Sequence, residues 1–122
     1  MIMAKIDPKY ISAWRRRFDA FEAESQEVAA RARADLNKAV PILRSYGAKR
    51  ILLFGSLCCS GRFHPDSDID LAVEGIPVKD VTRAAADLMM AMDWPTDLKP
   101  LEEVSDFFRS RIVEEGEVLY AE

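Results

Sequence analysis

The segment Asp68-Ile69-Asp70-Leu71-Ala72-Val73 constrains the fold more than any other, because its large apolar residues fall at every second position. Successive side chains of a strand point to opposite faces, so Ile69, Leu71 and Val73 share one face and Asp68 and Asp70 share the other. A helix would scatter these residues around its circumference. One face is expected to join a core, leaving the other to carry two carboxylates.

Upstream, Ile51-Leu52-Leu53-Phe54 is an unbroken apolar run, the pattern of a strand covered on both faces. It leads into Gly55-Ser56. Residues 57–67 hold Gly61, Pro65 and several small polar residues and read as a loop, with room for a short helical turn. Val78 to Met92 is rich in alanine and methionine and predicts a helix, with Met89, Met90 and Met92 as core filler. Asp93-Trp94-Pro95 breaks it before a short strand over 96–99, in which Leu98 faces inward and Asp97 outward. A last helix runs from Val104 to Glu115, stopped by Gly116, and Val118-Leu119-Tyr120 forms a short apolar tail. Glu102 and Glu103 suit a helix N-terminus.

The N-terminal third is different in character. Asp7-Pro8 is a strong helix start, since the carboxylate can accept an orphan backbone donor and proline suits the first helical position. Ile11, Trp14, Phe18, Phe21, Val28, Ala32, Leu36, Val40 and Leu43 then follow helical spacing. Pro41 should kink or restart this helix, and Gly47 should end it. A helix from Pro8 to about Val40 would be roughly 50 Å long, more than the sheet of so small a domain can cover. Its apolar stripe therefore calls for a partner chain or a homo-oligomer through the N-terminal helix. Residues 1–46 are accordingly read as a helical arm and 47–122 as the rest of one structural domain. Arg15 to Arg17 read as a solvated face.

Composition narrows the functions. With 122 residues and a formal net charge of -4, the chain lacks the basic surface that gripping a long nucleic acid requires. A nucleotide triphosphate with its own cation stays compatible. No apolar run approaches the roughly 20 residues of a membrane span, and residues 1–5 have no signal-peptide core, so a soluble, cytoplasmic protein is expected. Cys58 and Cys59 are adjacent, and neighbouring cysteines rarely bridge, which fits a reducing compartment and two small loop residues. One histidine and two cysteines leave structural zinc without a ligand set.

Two aspartates two residues apart on a strand have Cα atoms roughly 6–7 Å apart on one face. At 4 Å two like charges cost roughly 4 kcal/mol at an effective dielectric of 20, so converging carboxylates keep a proton or bind a hard cation. Magnesium suits them, and Asp97 on a neighbouring strand is the third candidate ligand. Two ions roughly 3.5–4 Å apart would clamp an in-line displacement at phosphorus, with Asp97 as general base. Gly55 lets backbone donors approach a triphosphate, and the Ser56 hydroxyl adds a donor. Separately, Asp-x-Asp and Gly-Ser are common by chance; the ordered combination is what points to one reaction.

Leu53-Phe54-Gly55-Ser56 together with Ser67-Asp68-Ile69-Asp70-Leu71 resembles the signature of the DNA polymerase beta-like nucleotidyltransferase superfamily, and more narrowly its minimal nucleotidyltransferases. The likeness covers roughly residues 47 to 122, and Ile112 to Tyr120 is similar to the C-terminal segment of many members. It implies an α/β (α+β) fold, a small mixed sheet flanked by helices and preceded here by the long helix. It also implies two magnesium ions at Asp68, Asp70 and Asp97, with ATP phosphates at Gly55 and Ser56. Residues 57–67 form a spacer one residue longer than usual, and Cys58-Cys59 replaces an arginine often found there; Arg62 could compensate. Similar proteins commonly act with HEPN-domain toxins, transferring AMP from ATP to a tyrosine of the toxin, so the resemblance implies an antitoxin. Transfer to a small-molecule hydroxyl, as in aminoglycoside-modifying relatives, and a non-catalytic binding antitoxin are the alternatives.

Overall fold

The computed structural model describes residues 7–60 and 63–122, so Arg62 lies outside the described residues. The chain runs α1 (Pro8–Ser45), β1 (Arg50–Phe54), a π-helical turn (Ser56–Ser60), β2 (Ile69–Glu74), α2 (Val78–Ala91) and β3 (Thr96–Pro100). A 3-10 turn (Leu101–Glu103), α3 (Asp106–Glu115) and β4 (Glu117–Ala121) complete it. The strands form one mixed sheet in the order β3-β2-β1-β4, parallel between β2 and β3 and antiparallel elsewhere.

Asp7 caps α1 as expected, its carboxylate accepting from the Lys9 amide at 3.0 Å with Pro8 in the first turn. Pro41, however, neither ends nor restarts the helix, which continues to Ser45. Proline removes the donor for the Asn37 carbonyl, but Asn37 and Pro41 are both exposed, so water can satisfy that carbonyl. The turn after the helix is completed by Gly47 at a φ of +99°.

Ile51 and Leu53 of β1 pair with Val73 and Leu71 of β2, and these side chains face the larger core with Ile69. Leu36 and Leu43 of α1 and Ala84 and Leu88 of α2 cover them. Fully burying residues of this size contributes roughly 1.5–3 kcal/mol each. The second half of α1 therefore belongs to the core. Its first half extends beyond it, with Trp14 still 73% exposed.

Three local expectations need correction. Met89 and Met90 are not core filler: they are 79% and 87% exposed, and only Met92 turns inward. The buried positions of α2, Ala84 and Leu88, follow its four-residue period, which puts Met89 and Met90 on the outer side. The C-terminal tail is a true edge strand, β4, pairing antiparallel with β1 across a bulge between Ile51 and Leu52. Nor is the carboxylate face of the sheet simply open, since Leu52 and Ala72 pack there with Leu101 and Ile112 in a second, smaller core roofed by α3.

Candidate active site

The parallel pairing of β2 and β3 places Asp70 directly beside Asp97. Leu71 and Leu98, one residue on, are also partners, so the alternation predicted for both strands holds in register: leucines inward, carboxylates outward. Asp68 stands at the entry to β2 on the same side and is exposed. Backbone pairing, rather than side-chain contact, thus brings the three predicted carboxylates to one end of the sheet.

The backbone on either side of Asp68 is held by Trp94 and Pro95. The indole Nε1 donates to the Ser67 carbonyl at 2.8 Å, and the Ile69 amide donates to the Pro95 carbonyl at 2.9 Å. Trp94 is itself held by its amide donating to the buried Asp35 carboxylate at 2.9 Å and by its ring lying 5.5 Å from that of Phe63. Phe63 is buried, and its carbonyl accepts from the Ser25 hydroxyl at 2.8 Å. A chain of satisfied, buried and half-buried polar groups therefore ties α1 to the loop that delivers Asp68.

Gly55 sits against the other carboxylate. It follows β1 at a φ of +77°, where side chains are strained, and a Cβ added to it would collide with the Asp70 carboxylate oxygen and lie 2.9 Å from Asp70 Cγ. Only glycine permits this approach, so a group bound against Gly55 meets Asp70 at once. Ser56 opens the π-helical turn immediately beyond.

The electrostatics carry the sign of a cation site. Burial holds the Asp70 carboxyl above its ordinary pKa, the neighbouring Asp97 and Asp68 charges add to the rise, and Lys99 partly opposes it. Lys99 Nζ pairs with Asp97 Oδ2 at 2.9 Å. Among the described residues no three histidine, cysteine or acidic side chains are already gathered into a cage for a metal ion. The donor set nonetheless has the chemistry for one: oxygen-only ligands that repel one another. Asp68, Asp70 and Asp97 are the residues that would hold magnesium.

Features that the sequence reading did not single out also border the site. Beside Gly55 lies a largely apolar cavity of about 480 Å³ lined by Phe54, Cys59, Phe107, Phe108, Arg111 and Ile112. Phe54 is the register partner of Asp70, so it points to the same side. The signal was present in the period of β1, in which Leu52 and Phe54 share a face, but the position of α3 over that face was not. Lys99 was legible as the next outward residue after Asp97. Cys58 and Cys59, expected to stay apart, are joined as a vicinal disulfide. The π-helical turn directs both sulfurs toward the Glu115 carbonyl, 3.7 Å from Cys58 Sγ and 3.3 Å from Cys59 Sγ. His64 is exposed, with its ring 5.4 Å from that of Phe21.

Paired outward aspartates on adjacent parallel strands thus lie next to a glycine in the sharp turn that ends β1. The chain belongs to the Polymerase beta, Nucleotidyltransferase family, whose profile matches residues 37–122. Its fold is similar to a chain of a toxin–antitoxin crystal structure with AMP-PNP, at 32% identity and a TM-score of 0.61 over 70% of this chain and 73% of the other. A chain of the complex of a tri-AMPylated Shewanella oneidensis HEPN toxin with its MNT antitoxin is 26% identical, at a TM-score of 0.57 over 75% and 73% of the two chains. A minimal nucleotidyltransferase structure shares the fold at 24% identity and a TM-score of 0.61 over 70% of this chain and 89% of the other. No curated protein sequence matches the chain. No helix among the described residues is long and apolar enough to cross a membrane.

Proposed function

We propose that this protein is a magnesium-dependent nucleotidyltransferase that moves AMP from ATP to a tyrosine hydroxyl of a HEPN-domain toxin, and so acts as its antitoxin. The observation that carries the reading is the register pairing of Asp70 with Asp97 beside Gly55. The likeness to toxin–antitoxin chains, one of them in a structure with AMP-PNP and another in a complex with a tri-AMPylated HEPN toxin, supports the choice of nucleotide and acceptor.

The chemistry follows from the placement of the carboxylates. Gly55 and Ser56 hold the β- and γ-phosphates, which sets the α-phosphorus near Asp70. Asp97 accepts the proton of the attacking hydroxyl; the hydroxyl oxygen forms a bond to the α-phosphorus, and the bond to the bridging oxygen breaks to release pyrophosphate. Asp68, Asp70 and Asp97 would hold magnesium, which when bound would supply charge neutralisation on the phosphates and favour loss of that proton. Lys99, paired with Asp97 in the resting protein, must give up part of that ion pair as substrate enters. The apolar cavity beside Gly55, with Phe54, Phe107 and Phe108, offers a surface on which a planar aromatic ring can lie.

Incubating the protein with α-labelled ATP, magnesium and a HEPN protein encoded beside it tests the acceptor. Label on a tyrosine of that partner with the wild type, lost in Asp68→Asn, is the expected result. Label on an added aminoglycoside instead would move the acceptor to a small molecule. Neutralisation of the toxin that survives Asp68→Asn with no labelling would overturn the catalytic reading in favour of a binding antitoxin.

A further inference from the structure

Cys58 and Cys59 take no part in the chemistry proposed above, yet they are attached to Gly55. Both of their amides donate to the Gly55 carbonyl, at 3.2 and 3.0 Å. Gly55 in turn abuts the Asp70 carboxylate, and Cys59 joins it in lining the cavity against α3. The two cysteines differ in access. Cys59 is exposed, whereas Cys58 is half-buried and packs against the larger core.

Their sulfurs meet a carbonyl that suits only one oxidation state. Cys58 Sγ lies 3.7 Å and Cys59 Sγ 3.3 Å from the Glu115 oxygen. Glu115 ends α3, where a helix leaves its carbonyls without an intrahelical donor. A thiol donates weakly to such an oxygen, but a disulfide sulfur has no proton to give. In the disulfide the contact is therefore empty of hydrogen bonds, while in the dithiol the same positions tie the turn to α3 twice. The bridge joins adjacent residues, so it closes almost no loop and constrains the unfolded chain little.

We propose that Cys58 and Cys59 form a reversible thiol–disulfide exchange site, and that its dithiol state holds the Gly55 turn in the form that binds nucleotide. The co-reactant is a small-molecule disulfide. Cys59 Sγ, the accessible sulfur, loses its proton and attacks one sulfur of that disulfide, releasing one small thiol and leaving a mixed disulfide on Cys59. Cys58 Sγ then loses its proton, attacks Cys59 Sγ and displaces the second small thiol. Two protein thiols are oxidised, one disulfide is reduced, and the two protons leave on the released thiols. Excess small thiol reverses both steps. The link to nucleotide rests on the nucleotidyltransferase reading of the site.

Protein reduced with a phosphine and protein oxidised with glutathione disulfide, each freed of reagent, are compared in magnesium buffer. Alkylation should count two thiols in the first and none in the second. Calorimetry should show AMP-PNP bound about tenfold more weakly after oxidation, the effect of losing two hydrogen bonds of modest net strength. The melting temperature should fall on oxidation, opposite to the effect of a disulfide that closes a long loop. Replacing the pair by Cys58→Ser and Cys59→Ser keeps two donors without a bridge, so binding should stay tight under both treatments. Replacing it by Cys58→Ala and Cys59→Ala removes the donors and should bind as weakly as the oxidised wild type. Failure of reduced wild type to bind AMP-PNP would overturn the nucleotide reading and this link with it. AMP-PNP bound equally in both states, two thiols remaining after oxidation, or an alanine pair as tight as the serine pair would overturn the exchange site alone.

Discussion

Gly55 and Asp70 are pressed together so closely that a methyl group on the glycine would collide with the carboxylate. This contact joins the end of β1 to the outward face of β2, and it explains why the turn needs both a positive φ and no side chain. The turn at Gly55 and the Asp70 carboxylate are one unit. Gly55→Ala should therefore destabilise the fold by about 1–3 kcal/mol through strain at that φ and displacement of Asp70. Urea denaturation would measure the first effect, and label transfer from ATP, which should fall with it, the second.

Asp70 is a liability to the resting fold. Its carboxyl is raised above the ordinary carboxylate range by burial first, and then by Asp97 and Asp68 against the opposing Lys99. An acid whose folded pKa exceeds its unfolded one binds its proton more tightly when folded. Stability should therefore rise as pH falls through the window between the raised value and the ordinary one, and the penalty is fully present above it. Asp70→Asn should raise the urea midpoint at pH 7 while abolishing transfer, and its advantage over the wild type should shrink as pH is lowered toward the ordinary carboxylate pKa. These trends hold in metal-free buffer; a bound cation would narrow the difference.

Asp97→Asn tests the proton acceptor. General base catalysis contributes about 10²–10⁴-fold, so kcat should drop within that range. Lys99→Met removes the ion-pair partner of Asp97 and should alter the pH profile of kcat far more than the stability, since the pair is partly exposed.

The second core supports the site from α3. Ile112 is buried with Leu52, Ala72 and Leu101, so Ile112→Ala should cost about 2–4 kcal/mol by chemical denaturation. Trp94→Phe keeps the ring contact with Phe63 but removes the donor to the Ser67 carbonyl. It should cost about 1 kcal/mol and raise KM for the nucleotide as Asp68 loses its anchor.

The strands that carry the aspartates were legible because period and register are local properties. Ile69, Leu71 and Val73 announced the inward face of β2, and Leu98 did the same for β3, so the outward positions of Asp70 and Asp97 followed. The parallel pairing that makes them neighbours was not itself visible in either strand. Other features depended on packing at long range. Pro41 reads in isolation as a kink or restart, yet α1 runs on through it, and its exposure makes the lost hydrogen bond tolerable. Met89 and Met90 read as core because methionine is apolar, while the buried face of α2 is set by Ala84 and Leu88. Val118 to Tyr120 could be recognised as strand only once β1 was known to have an open edge. The second core, and the cavity beside Gly55, required knowing that α3 folds back over Leu52 and Ala72.

Nucleotidyl transfer directed by the carboxylates around Asp70 requires bond cleavage at the α-phosphorus. Parallel reactions with α-labelled and γ-labelled ATP, magnesium and the HEPN partner, followed by separation of protein from pyrophosphate, test it most directly. Label should appear on the partner only from α-labelled ATP, γ-label should be released as pyrophosphate, and neither should occur with Asp70→Asn. Protein labelled from γ-labelled ATP, or α-label transferred undiminished by Asp70→Asn, would contradict it.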